Sequence, residues 1–273
     1  MERLMHLGII GYGNITETLL GLLEAEPVEA LTVLVRPGRE ARARSALAAS
    51  AAAPFVTVVD TPDALADARP DIVAECAGQG AVADLVPPLL DAGLPVIVAS
   101  VGALADDALA ARLNAAAHAG GTRIILPAGA VGGVDLLAAL APAGGLSVSY
   151  RGTKPPAAWK GTAAEAFLDL SALTEPAVFF RGNAREAAQT YRKNANVAAT
   201  LALAGPGFAA TSVELVADPA ARANIHHYVV TSALGRFAVE IENAPSPGNA
   251  KTSVATVYSI LREINRMRRA VVI

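Results

Sequence analysis

The chain has 273 residues, enough for one large domain or two ordinary ones at roughly 100–200 residues each, and enough to bury a sizeable core. A hydrophobic fraction of 53% against 17% charged residues excludes disorder, and with only 4% aromatics the apolar content rests on alanine and valine. The net charge of −3 gives no electrostatic footprint for nucleic acid, and a single cysteine, Cys76, excludes an internal disulfide and fits a reducing cytoplasm.

The first 127 residues alternate short apolar runs with helical stretches. The runs are Leu4–Ile10, Leu31–Val35, Phe55–Val59, Asp71–Cys76, Pro95–Ser100 and Arg123–Leu126; between them lie Ile15–Glu24, Arg39–Ser50, Ala81–Ala92 and Ala103–Ala119. Runs this apolar are parallel strands covered on both faces. The alternation predicts an α/β fold, a Rossmann-type doubly wound parallel sheet, over residues 1–127. Met1–Ile10 lacks the long apolar region and small-residue cleavage site of a signal peptide. The apolar run Leu85–Val101 is interrupted by Pro87, Pro88, Asp91, Gly93 and Pro95, short of the roughly 18 apolar residues of a membrane span. A cytoplasmic protein without a membrane or nucleic-acid partner is expected.

After Pro127 the rhythm changes. Ala128–Gly133 is a small-residue turn into a helix near Val134–Leu140, followed by a strand Leu146–Arg151 and a loop Gly152–Lys160. A helix Thr162–Leu173, a strand Ala177–Arg181 and helices Ala184–Tyr191 and Asn196–Ala204 come next, then strands Thr211–Val216, Ile225–Ser232 and Arg236–Glu242, with Gly235 a natural turn. Residues 128–246 thus read as a second, mixed α/β domain carrying substrate and catalytic groups. Residues 247–273 hold a helix, Thr252–Arg268, whose apolar Val254, Val257, Ile260, Leu261 and Ile264 are expected to return to the first domain. Its Arg262, Arg266, Arg268 and Arg269 form either a basic patch or a solvated helix end favoured by the dipole.

The junction of the first strand and first helix reads Gly11-Tyr12-Gly13-Asn14-Ile15-Thr16. Gly11 and Gly13 occupy the first two positions of a G-x-G-x-x-G fingerprint: one allows the tight turn, the other lets a pyrophosphate approach the backbone. The N–H groups at Asn14 and Ile15 then open a helix whose positive dipole end favours phosphate. Thr16 replaces the third glycine. The second strand runs into Arg36 and Arg39 where an acidic residue would hold the ribose of NAD; they suit a 2′-phosphate, or are solvated loop arginines, so the cofactor is NAD or NADP. Cys76, at the carboxyl end of a strand, lines the nicotinamide pocket or is a small buried hydrophobe.

Of the histidines, His6 and His118 read as structural. His226 and His227 alternate along a strand, so only one can face a cleft. Hydride removal from an amino-bearing carbon needs a group that handles a proton, for which histidine is suited. Lys154, Lys160 and Asn194 are candidate donors to a dicarboxylate, each lysine having the alternative of an exposed solubilising charge.

Taken together the chain resembles the L-aspartate dehydrogenase family. The resemblance runs through Gly11–Ile15, Ser100–Leu104, Ala128–Asp135, Lys154-Pro155-Pro156, Gly182–Ala187, Asn194–Ala199, Ala217-Asp218-Pro219 with Asn224-Ile225-His226, and Asn249–Ser253. It implies oxidation of L-aspartate to iminoaspartate with NAD or NADP, hydrolysis of the free imine to oxaloacetate and ammonia, or its passage into pyridine nucleotide biosynthesis. The Asn-x-His motif implies that His226 is catalytic and places Asn224 beside it; Ala130 and Asn196 are implied as cofactor contacts. Thr16, and Ala250 where the family usually has proline, are the departures. A homodimer is expected for a fold of this size. The same architecture also admits another amino-acid or imine dehydrogenase, or a cofactor-sensing protein without turnover.

Overall fold

The computed structural model describes residues 5–192, 194–246 and 249–272; Leu4, the expected first residue of the first strand, lies outside them. Two compact units emerge, Met1–Pro127 with Val257–Ile273, and Ala128–Thr256. The second division falls later than the expected 246/247 boundary, and the short paired strands Pro245–Ser246 and Asn249–Ser253 lie within the second unit.

In the first unit, β1 (His6–Ile10), β2 (Ala30–Leu34), β3 (Phe55–Val59), β4 (Ile72–Glu75), β5 (Val96–Val98) and β6 (Ile124–Ile125) form a wholly parallel sheet in the order β3-β2-β1-β4-β5-β6. The order reverses between β1 and β4, which opens a crevice beyond their carboxyl ends. Leu7, Ile9, Leu31, Val33, Ile72 and Ile97 are fully or almost fully buried, as strands covered on both faces require. Helices α1 (Asn14–Leu23), α2 (Glu40–Leu47), α3 (Pro62–Asp67), α4 (Gln79–Asp91) and α5 (Asp107–Ala119) make the connections.

Two local features of the first unit depart from the sequence expectation, whereas the helix expected over Ala81–Ala92 forms as α4. The short α3 was not among the expected helices; Thr61 caps it by accepting from the Ala64 N–H, with Pro62 in its first turn. The helix expected over Ala103–Ala119 is a 3₁₀ turn, Val101–Ala105, followed by α5, because Asp106 accepts from the Ala108 and Leu109 N–H groups and starts a new helix there. Helix α4 continues through Pro87 and Pro88. Pro87 lacks the N–H that would reach the Ala83 carbonyl, and the Arg112 guanidinium of α5 donates to that carbonyl instead.

The C-terminal helix Val254–Arg268 places Val257, Ile260 and Ile264 in the same core cluster as Leu7, Ile9 and Leu19. Each such fully buried aliphatic side chain contributes roughly 1.5–3 kcal/mol. Arg268 donates to the Glu26 and Pro27 carbonyls at 2.9 and 3.3 Å, Arg269 pairs with Glu26, and Arg262 and Arg266 pair with Glu263. The basic helix end is therefore engaged within the unit.

The second unit holds α6 (Val134–Leu140), β7 (Ser147–Lys154), β8 (Ala177–Asn183), α7 (Ala184–Thr190), α8 (Asn196–Ala204), β9 (Thr211–Ala217), β10 (Asn224–Ser232) and β11 (Gly235–Asn243). The sheet order is β11-β10-β7-β9-β8, antiparallel except for β7 with β9. Strand β7 runs to Lys154, not to Arg151 as expected: Gly152 and Thr153 are held by ladders on both sides, to His226 and Ile225 of β10 and to Leu215 and Val216 of β9. The helix expected over Thr162–Leu173 is only a 3₁₀ turn, Ala163–Ala166. Thr162 caps that turn by accepting from the Ala164 N–H, and Asp169 accepts from the Ser171 N–H, a local bond that competes with a longer helix. Among the described residues, no helix is long and apolar enough to cross a membrane.

Candidate functional site

At the carboxyl end of β1, Gly11 has φ +93°, and its N–H donates to the Leu34 carbonyl at 2.8 Å. A Cβ on Gly11 would lie 2.7 Å from the Ala77 Cβ, so both the turn and the close approach of two loops demand glycine. Gly13, which precedes α1, has nothing within 4 Å of the position a Cβ would take. The space above its backbone is the cradle a pyrophosphate needs, at the N-terminus of a helix that no side chain caps. Thr16 is completely buried, and its hydroxyl donates to the Gly11 carbonyl at 2.9 Å. The departure from the fingerprint thus fastens the turn. The residues present fit a dinucleotide.

Glu75, at the end of β4, is fully buried. Its carboxylate accepts from the Ala77, Gly78 and Ser100 N–H groups at 2.8, 2.7 and 2.9 Å and from the Ser100 hydroxyl at 3.1 Å. Burial raises its pKa above the usual carboxylate range, against these donors. It ties together the loops after β4 and β5, and only its place at a strand end marks it in the sequence. Cys76 packs partly buried against the core, where desolvation pushes its thiol well above the ordinary range; it is a neutral thiol, not a nucleophile. Arg36 and Arg39 are exposed in the turn after β2.

The second unit gathers its polar groups on one sheet face. Alternation along β7 and β10 buries Tyr150, Gly152, Lys154, Asn224, His226 and Tyr228 together. His226 is inward, with 2% of its surface accessible, while His227 lies on the opposite face. The His226 Nδ1 is 2.8 Å from the Tyr150 hydroxyl, and burial together with the Lys154 charge pulls its pKa down to about 3. Lys154 donates to Asn194 Oδ1 at 3.3 Å, and its ammonium lies 5.6 Å from the centre of the Trp159 ring. Trp159 is itself packed edge-to-face on Phe179 and Tyr191 and donates to the Val216 carbonyl. Asn224 donates to the Ser253 hydroxyl at 3.3 Å. Two polar atoms of this group, His226 Nε2 and Asn194 Nδ2, are buried without a hydrogen-bond partner among the described residues. Buried polar atoms are almost always paired, so such orphans point to a ligand.

Of the other expected site residues, Ala130 is buried in the turn before α6, its carbonyl accepting from Asn243 Nδ2 at 2.7 Å. Asn196 opens α8. Lys160 is exposed beyond Trp159 and does not join the buried group. His6 bonds Thr32 within the first sheet, and His118 is exposed on α5. Tyr150, Trp159 and Asn243 were not anticipated; their signals, a tyrosine two residues before a strand glycine and a tryptophan after Pro155-Pro156, become meaningful only once the strands pair.

Residues 135–267 match the family described as aspartate dehydrogenase, C-terminal, and residues 11–127 match the homoserine dehydrogenase NAD-binding domain. An L-aspartate dehydrogenase of Polaromonas sp. is 46% identical over 272 residues, covering 99% of this chain and all of the relative. One from Ruegeria pomeroyi is 45% identical over 267 residues, covering 98% and 94%. The crystal structure of aspartate dehydrogenase from Thermotoga maritima is similar with a TM-score of 0.77 at 29% identity, covering 99% of this chain and 100% of that one.

Proposed function

Because this chain belongs to the L-aspartate dehydrogenase family, we infer that it catalyses the NAD(P)-dependent oxidation of L-aspartate to iminoaspartate, or the reverse reductive amination. The observation that carries the reading is the buried group of Lys154, Asn194 and His226, in which a cation and two unsatisfied polar atoms lie together. A dicarboxylate answers that chemistry.

The first domain, residues 1–127, would hold the dinucleotide: Gly11, Gly13, Asn14 and Ile15 would hold the pyrophosphate and Cys76 would line the nicotinamide pocket, and Ala130 and Asn196 are further candidate cofactor contacts. Arg36 and Arg39 suit a 2′-phosphate, so the cofactor is NAD or NADP. When bound, the nicotinamide would supply the acceptor for a hydride from the aspartate Cα. Lys154, Asn194 and Asn224 hold the carboxylates, and this fixed orientation supplies much of the acceleration. His226 is the catalytic group, presenting its unpartnered Nε2 to the reacting centre. The proposal extends to a cytoplasmic homodimer that serves pyridine nucleotide biosynthesis and acts on small molecules rather than nucleic acid or membrane; light scattering checks the dimer.

The test is His226→Ala, assayed in both directions. Loss of about 100-fold or more in kcat with dinucleotide affinity retained supports the assignment; near-normal turnover removes His226 from the chemistry.

A further inference from the structure

Gly152 sits in the middle of a strand, where glycine is unfavourable. Its backbone is not among those with positive φ, so conformation does not explain it. Space does. A Cβ on Gly152 would lie 2.5 Å from the Tyr150 hydroxyl oxygen and 3.0 Å from the ring carbon bearing it. Gly152 is also the register partner of His226. The Tyr150 ring therefore runs along β7 across the bare Cα of Gly152, and its hydroxyl meets His226 Nδ1 at 2.8 Å, with the two rings inclined by only 21°.

The proton inventory of this pair is restrictive. Tyr150 is 1% exposed, and His226 Nδ1 is the one hydrogen-bond partner of its hydroxyl among the described residues. A buried O–H must donate, and Nδ1 can accept only through its lone pair. A neutral imidazole then carries its single proton on Nε2. Tyr150 does not serve as the acid of a relay, because burial pushes its phenol well above the ordinary range. The other charged group acting on His226 is Lys154, on the same face of β7, which further opposes an imidazolium.

We propose that Tyr150, threaded across Gly152, is a positioning residue that fixes His226 as the Nε2–H tautomer, so that the imidazole meets the substrate as a neutral hydrogen-bond donor rather than as a base. A neutral histidine is a competent electrophile of this kind. Its Nε2–H holds an oxygen of the substrate, and no proton leaves or joins the ring during turnover. The proposal rests on the reading of His226 as the residue that faces L-aspartate.

The experiment combines two measurements on the intact protein. First, ¹⁵N-histidine spectra of the wild type, with His226 assigned by its absence in His226→Gln, report the tautomer directly. A pyridine-type Nδ1 and pyrrole-type Nε2 are expected, with that signature lost in both Tyr150→Phe and Gly152→Ala. Second, His226→Gln and His226→Ala are compared in kcat. Glutamine keeps an N–H near the Nε2 position but cannot act as a base, so it is expected within about 10-fold of wild type while alanine loses about 100-fold or more. A pyrrole-type Nδ1 in the wild type, or a glutamine variant as inactive as alanine, overturns the proposal while leaving His226 catalytic. An active alanine variant overturns the reading beneath it.

Discussion

Lys154 and His226 share one buried sheet face, and burial first, then the charge of Lys154, keeps the imidazole neutral. Replacing Lys154 with Met should raise KM for L-aspartate strongly, by about 30-fold or more if a buried charge contact worth roughly 2 kcal/mol or more is lost, and leave dinucleotide affinity unchanged. Equal weakening of both ligands would contradict the assignment. His226 also has a consequence for stability. Its pKa in the folded chain, about 3, lies below the ordinary 6.5. Below pH 6.5 the unfolded chain therefore takes up a proton that the folded chain refuses. The stabilisation is fully present above pH 6.5 and is lost as pH falls toward 3, at up to about 1.4 kcal/mol per pH unit. Guanidinium midpoints measured from pH 7 to 4.5 should fall less for His226→Gln than for the wild type; parallel decline would show that the buried imidazole is not responsible. At this scale the sequence carried part of the site. Strict alternation along the strand is enough to set His226 and His227 on opposite faces. Glu75, Tyr150 and Trp159 carried no such signal, because their roles arise from contacts between residues distant in sequence, such as Tyr150 with His226.

Among the elements, the loop between β1 and α1 makes the sharpest distinction. Gly11 is required by backbone conformation and by contact with Ala77, whereas Gly13 faces open space. Gly11→Ala should therefore destabilise the protein by about 1–3 kcal/mol in addition to weakening the dinucleotide. Gly13→Ala should leave the apparent melting temperature of the apo-protein unchanged and weaken dinucleotide binding alone. Thermal denaturation with and without NADP separates the two, and a Gly13→Ala variant that binds normally would remove the pyrophosphate from this loop. The turn after β2 has its own test: Arg36→Ala should raise KM for NADP while sparing NAD, and equal effects would mean that Arg36 is only a solvated side chain. The regular strands of the first unit were legible because each is a short continuous apolar run set between helical stretches. What escaped was short or locally overridden. Helix α3 is announced only by Thr61-Pro62, the residues after Lys160 have helical composition but are tied by Thr162 and Asp169, and β7 passes through a glycine that reads as a strand end until Gly152 is seen paired on both sides.

For the whole molecule, one unit is a parallel sheet whose glycine turn fits a pyrophosphate, and the other is a mixed sheet that buries Lys154, Asn194 and His226, the groups proposed to meet a dicarboxylate. The reaction proposed for the molecule is the oxidation of L-aspartate. The most direct measurement is the absorbance of reduced nicotinamide when the purified protein is mixed with L-aspartate and NAD or NADP at alkaline pH, where the amino group is neutral. A rise that requires L-aspartate and is lost in His226→Ala is expected with NAD or NADP. Protein that binds a dinucleotide but produces no rise with L-aspartate and either cofactor would contradict the proposed reaction.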